Sequence, residues 1–152
     1  MTRIAENIEI AASSTVVFRF CHDVARRSEW DERVVSVELL TSMPIRRGAL
    51  LRIDARHAAR PVFTWDAEYV EFQFPSSSRV RVVDAAPSSL FETGSEKWQF
   101  DSVGSATRFT LVWEYKPRGF LGGFLDKLRR RSVVRQAIKH SLVNLKEMVE
   151  AV

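Results

Sequence analysis

The stretch Thr107-Arg-Phe-Thr-Leu-Val-Trp-Glu-Tyr115 decides the fold. Phe109, Leu111, Trp113 and Tyr115 share one parity, and Arg108, Thr110 and Glu114 take the other. That two-residue period belongs to a strand with one buried face. Pro117 and Gly119 stop the strand, Gly122 and Gly123 follow, and from there to Glu150 neither Pro nor Gly occurs. Along that run Phe124, Leu128, Val134, Ile138, Leu142, Leu145 and Val149 recur at helical spacing. The spacing predicts a long amphipathic helix of about 40 Å. Its central apolar stripe is thin, because Arg131, Ser132 and Arg135 fall where apolar residues would continue it.

Upstream, most of the chain reads as strands. Ile4, Ile8 and Ile10 alternate in a first strand over 3–11, interrupted by Glu6. Ser13 or Ser14 then caps a short helix over 15–22, and a second helical piece over 25–32 carries Trp30 in a charged stretch. Val35, Val37 and Leu39 alternate next, and Pro44 with Arg46-Arg47-Gly48 turns the chain into a strand bearing Leu51, Ile53 and Ala55. A long strand over 62–74 changes parity: Phe63, Trp65, Ala67 and Tyr69 alternate first, then Val70, Phe72 and Phe74. Either a bulge near Tyr69-Val70 brings both sets to one face, or the strand is aromatic on both faces. Pro75-Ser-Ser-Ser78 reads as a turn, residues 79–83 as a short strand, and 90–101 as the strand that pairs through a turn with 107–115.

Consecutive strands joined by short turns imply an antiparallel sheet, here of about seven strands, in an α+β chain. Such a sheet twists and curls. A single helix about 10 Å wide cannot fill its concave side, so space remains between helix and sheet. The length of 152 residues suits one domain spanning the chain. Sixteen aromatics, ten Phe, four Trp and two Tyr, are available either to pack a core or to line that space.

Charge is unevenly placed. From Lys116 onward nine bases face three acids, a net of +6, so residues 1–115 carry 14 bases, 16 acids and a net of −2. The basic excess sits on the predicted C-terminal helix, either as a solvated face or as a patch for an anionic membrane or an acidic protein. Specific nucleic-acid reading is not expected, since no aromatic side chains interleave on the exposed side of that helix. A lone Cys21 forms no intramolecular disulfide, and the start Met1-Thr-Arg-Ile-Ala-Glu-Asn7 lacks an apolar signal core, so a cytoplasmic protein is expected. His22, His57 and His140 are dispersed without metal spacing, and no metal or cofactor is expected. There is no Gly-x-Ser-x-Gly elbow, Gly119-Phe-Leu-Gly-Gly123 lacks the Lys-Ser/Thr of a phosphate loop, and the adjacent Cys21-His22 pair does not make a nucleophile site.

The order of these segments resembles the START-like, helix-grip (SRPBCC) superfamily, in its bacterial polyketide cyclase/dehydrase and lipid-transport branch. The resemblance runs through Ile8-Glu-Ile-Ala-Ala-Ser-Ser-Thr-Val-Val-Phe18, the segment from Asp23 to Trp30, and Tyr69-Val-Glu-Phe-Gln-Phe-Pro75. It continues through Trp98-Gln-Phe100 with Gly104 and Thr107, then Glu114-Tyr115 to Gly119, Leu128, and Leu142-Val-Asn-Leu-Lys146. It implies a curved antiparallel sheet wrapped around the C-terminal helix, and a hydrophobic ligand between them. The superfamily shares no catalytic motif, so fold analogy does not assign a reaction.

Candidate residues follow from that arrangement. Trp65, Tyr69, Phe91, Trp98, Trp113 and Tyr115 are expected on strands beside the helix, either as core or as pocket lining. Trp113 and Tyr115 lead, because the resemblance places their strand next to the helix. Glu92 and Glu96 share the parity of Trp98 and face the cavity unless Gly94 marks a bulge or bend that turns one or both out to solvent. With Tyr115 they are the candidate catalytic groups, since a buried carboxyl with a raised pKa serves as a general acid or base. Arg131 and Arg135 share a helix face, as a cationic group at the cavity mouth or as solvated side chains. Phe120, Leu121 and Phe124 form an apolar tip or a packed helix start. The leading expectation is a carrier or sensor of a lipid, polyketide, quinone or other aromatic compound. The alternatives are a polyketide cyclase, aromatase or dehydratase in the same cavity, and a membrane- or protein-interaction module using the basic helix.

Overall fold

Apolar alternation along Thr2–Ile10 (β1) and Ala106–Pro117 (β7) pairs these distant strands, with Ile4 opposite Trp113 and Ile8 opposite Phe109. A computed structural model describes residues 1–57, 62–86, 91–119 and 130–151. Between those two strands lie β2 (Val34–Leu39), β3 (Leu50–Ala55), β4 (Phe63–Gln73), β5 (Ser77–Ala85) and β6 (Phe91–Val103). All pair antiparallel in one sheet of order β1-β7-β6-β5-β4-β3-β2. The helices are α1 (Ser14–Cys21), a single 3-10 turn (Val24–Arg26) running into α2 (Arg27–Trp30), and α3 (Arg131–Glu150). This is the helix-grip arrangement expected from the sequence.

Local chemistry sets the element ends. Ser13 is the cap of α1, its hydroxyl accepting from Val16 N at 3.3 Å. The parity change in β4 is a bulge: Tyr69 pairs with Val80 and Glu71 with Arg79, leaving Val70 as the extra residue. Phe72 thereby rejoins the face of Tyr69, their rings 5.4 Å apart. Two expectations need correction. The helix expected over 25–32 is a 3-10 turn followed by one α-helical turn. Ser77 and Ser78, expected in a turn, begin β5 and are buried, because Ser78 supplies the partner of a buried histidine.

The interruptions in the first and last apolar patterns explain each other. Glu6 of β1 accepts from Arg135 of α3 at 2.8 Å. Farther along, Lys146 Nζ donates to Glu9 O, and Glu150 accepts from the backbone N–H of Ala11, each at 2.8 Å. These contacts fasten α3 along the edge strand. From Ile138 onward the helix buries Ile138, Leu142, Leu145 and Val149, which join Ile4, Ile10, Val17, Phe18, Phe109 and Leu111 in the core. No helix among the described residues is long and apolar enough to cross a membrane.

His22 sits within this core, 5.0 to 6.1 Å from the rings of Phe72, Phe100, Trp98 and Tyr69 and 4.1 Å from that of Phe18. Nδ1 lies 2.7 Å from the Phe18 carbonyl, which can only accept, so Nδ1 carries the proton and Nε2 accepts from Ser78 Oγ at 2.8 Å. Burial pulls its pKa down to about 4; the Phe18 bond opposes this and Arg27 adds to it. The unfolded chain therefore binds a proton that the folded state refuses between about pH 6.5 and 4. Stability is expected to fall as pH drops through that window, by roughly 3 kcal/mol in all. Urea midpoints at pH 7, 5.5 and 4 for the wild type and His22→Phe check this: the wild type alone should carry the extra slope.

Candidate functional site

The concave face of the sheet is filled unevenly. Where α3 touches β1 the core is closed; toward β3, β4 and β6 a cavity of about 390 Å³ opens. Its sheet wall is aromatic, with Phe63 and Trp65 from β4, Phe91 from β6, and Trp113 and Tyr115 from β7. Phe91 is the hub, its ring edge-on to Trp113 at 5.2 Å, Trp65 at 5.5 Å and Phe63 at 5.9 Å. Trp113 stacks on Tyr115 at 5.7 Å with ring planes 18° apart. Val133, Val134 and Ala137 of α3 form the opposite wall.

Gly94 sets the position of Trp113. A Cβ on Gly94 would lie 2.7 Å from Trp113 Cη2 and 2.9 Å from the Glu114 carbonyl. The absent side chain lets the indole lie over β6. Just before it, a register shift between Phe91 and Thr93 turns the strand. Phe91, Gly94, Glu96 and Trp98 are therefore all buried, while Glu92 faces outward.

The inner end of the cavity is polar and densely paired. Arg27, Arg33 and Glu96 line it, with Asp31 wholly buried behind them. Arg33 donates Nη1 to Glu96 Oε1 at 2.7 Å, and Nε and Nη2 to the two oxygens of Asp31 at 3.0 and 2.9 Å. Arg27 donates Nε to Asp31 at 2.9 Å and Nη2 to Glu96 at 3.4 Å. Trp98 Nε1 donates to Glu96 Oε2 at 2.8 Å, and the Arg27 guanidinium lies 4.6 Å from the Trp98 ring centre. Burial alone would raise the Asp31 carboxyl; Arg33 and Arg27 overcome that and hold it well below the usual carboxylate range. Burial likewise disfavours the charged form of Arg33, and Asp31 and Glu96 more than restore it.

Of the residues singled out from sequence, Trp65, Phe91, Trp113, Tyr115 and Glu96 line the cavity together. Tyr69 and Trp98 lie on the same face but around a space of only about 10 Å³, hardly room for one water. Of the two outcomes open for Glu92 the outward one holds: it is exposed, bonded to Lys116 at 3.2 Å and to Gly119 N at 3.4 Å, and these partners lower its pKa instead of burial raising it. Arg131 is exposed, and Arg135 is held by Glu6 on β1, away from the cavity. Phe120, Leu121 and Phe124 lie outside the described residues. Cys21 is buried, and that burial pushes its thiol far above the ordinary range. Among the described residues no group of three His, Cys, Asp or Glu is placed to hold a metal ion.

Sequence reasoning missed Arg27, Asp31, Arg33, Arg56 and Arg130. A signal for the first two existed: Arg27 and Asp31 stand four apart beside Trp30, the spacing of an ion pair on one helical face.

Comparison with known proteins agrees with the fold. The family model described as polyketide cyclase/dehydrase and lipid transport matches residues 1–150. No curated protein matches the sequence. Among solved structures, a protein of Thermus thermophilus superposes with a TM-score of 0.82 at 22% identity, covering 99% of this chain and 98% of its own. The Zhui aromatase/cyclase of a Streptomyces species gives 0.81 at 17% identity, covering 98% and 93%. A START superfamily protein of Mycobacterium smegmatis gives 0.80 at 13% identity, covering 98% and 97%.

Removing Glu96 leaves two buried guanidiniums sharing one carboxylate. Glu96→Ala is expected to cost about 3 kcal/mol, read as a drop in the urea midpoint. Glu92→Ala, on the exposed side of the same strand, is expected to leave the midpoint unchanged.

Proposed function

Since the chain belongs to the polyketide cyclase/dehydrase and lipid transport family, we propose that it binds a hydrophobic, aromatic small molecule in the 390 Å³ cavity and carries or senses it without chemistry. One observation carries this reading: the chamber wall is built of five aromatic side chains, while the charges at its inner end are spent on one another. Its volume lies within the roughly 300–1,000 Å³ of small-molecule sites, and an apolar wall with few polar groups is their usual composition.

The second reading is a polyketide cyclase or aromatase. The likeness to the Zhui aromatase/cyclase motivates it, and catalysis there would need a group able to take or give a proton beside the ligand. Glu96 is the carboxylate at the inner end of the cavity wall, but three donor side chains, Arg27, Arg33 and Trp98, occupy its two oxygens. That engagement weighs toward binding. The third reading, contact with an anionic membrane or acidic protein, rests on the basic excess from Lys116 onward.

Neutral 1-pyrenebutanol probes the chamber, because energy transfer from Trp65 and Trp113 to pyrene reports entry. Saturable binding of one molecule per chain is expected. Ala137→Phe, which fills the cavity from the helix side, is expected to weaken it at least tenfold without lowering the urea midpoint. Absence of energy transfer, together with no compound seen by native mass spectrometry of the purified protein, would overturn the reading.

A further inference from the structure

The charges around the cavity fall into two sets. At the inner end, Arg27 and Arg33 each bond to both Asp31 and Glu96, so two positive and two negative groups cancel. At the mouth the balance differs. Arg56, just past β3, and Arg130, at the start of α3, line the cavity from the sheet side and the helix side. Arg56 donates Nη2 to the Val34 carbonyl at 3.2 Å, a neutral partner. Among the described residues no carboxylate lies within ion-pair distance of either guanidinium. The acid in the mouth lining is Glu32, whose Oε2 lies 3.6 Å from His140 Nδ1. His57 and Tyr115 are also titratable groups of the lining. Leaving the histidines aside, the described residues of the mouth carry two positive charges and one negative.

Resting on the binding reading above, we propose that the ligand is an amphiphile with an apolar, aromatic body and a single carboxylate, and that Arg56 and Arg130 hold this carboxylate at the mouth. Guanidinium geometry matches a carboxylate through paired N–H donors. A cationic head would meet two like charges, and a dianion would exceed the one net charge that the described mouth residues carry. The inner end offers no rival anion site, because its guanidiniums are already matched by carboxylates.

A matched series tests this by energy transfer from tryptophan: 1-pyrenebutyrate, 1-pyrenebutanol and 1-pyrenebutylammonium at low and high salt. The butyrate is expected to bind about tenfold or more tighter than the butanol, the ammonium weakest of the three, and the gap to narrow as salt rises. Arg56→Gln with Arg130→Gln should bring butyrate down to the affinity of butanol while butanol stays within about twofold of wild type. The corresponding double Lys variant should keep part of the preference. Butanol binding in the Gln variant also reports that the chamber is intact. Equal binding of butyrate and butanol by the wild type, or a preference that survives the double Gln change, overturns the carboxylate assignment and leaves the apolar-ligand reading standing. Loss of butanol binding by the wild type removes both.

Discussion

One helix has to serve a sheet of seven strands. With its side chains α3 is about 10 Å wide, and it settles on β1, the edge strand, where Arg135 meets Glu6 and Lys146 meets the Glu9 carbonyl. Its buried residues lie in the half that follows Ala137. The half before that presents Val133, Val134 and Ala137 across a gap to β3, β4, β6 and β7. A helix anchored along one edge of a curled sheet leaves the middle of the concave face uncovered. Both the cavity and the need for something to close its inner end follow from that.

The closure is ionic, and it divides the aromatics. On one side Phe18, His22, Phe72, Phe100 and Phe109 pack ring against ring without space for a guest. On the other, Phe91 meets Phe63, Trp65 and Trp113 edge to face, Tyr115 stacks on Trp113, and the five rings leave one surface bare. Glu96 stands between them on β6, two residues before Trp98, which touches both the ionic cluster and the packed set. Burying four charges is costly unless each finds opposite charge and hydrogen bonds. Here the donors of two guanidiniums interlock with two carboxylates, and Ser141 of α3 adds a hydroxyl 3.5 Å from Asp31. The cluster thus ties α2, β6 and α3 together, and it stays satisfied only while those three elements keep their relative positions.

How much of this was legible depended on the range of the interaction. Periodicity along Thr107–Tyr115 and the helical spacing from Ile138 to Val149 specify a strand and a helix by themselves, since each pattern repeats several times within one element. The parity change in β4 was readable, but whether a bulge absorbs it or the strand is aromatic on both faces was not, since the sequence alone does not say which face is covered. The parity of Glu92 was not readable: one extra residue between Phe91 and Thr93 reverses every side chain before it, and a single position leaves no repeat in the sequence.

Charges were the hardest to place. Glu6 and Arg135 each stood out as a break in an apolar pattern, yet nothing local says that breaks 129 residues apart meet. Arg27, Asp31 and Arg33 read as an ordinary solvated run, because one turn of helix is too short to show an amphipathic period. Their burial is a tertiary fact, created by Glu96 arriving from β6. Arg131 drew notice as a break in the stripe while its neighbour Arg130 faces the cavity. On a helix a one-residue step turns a side chain by about 100°, so a thin apolar stripe fixes which stretch lines a cavity but not which of two adjacent arginines does.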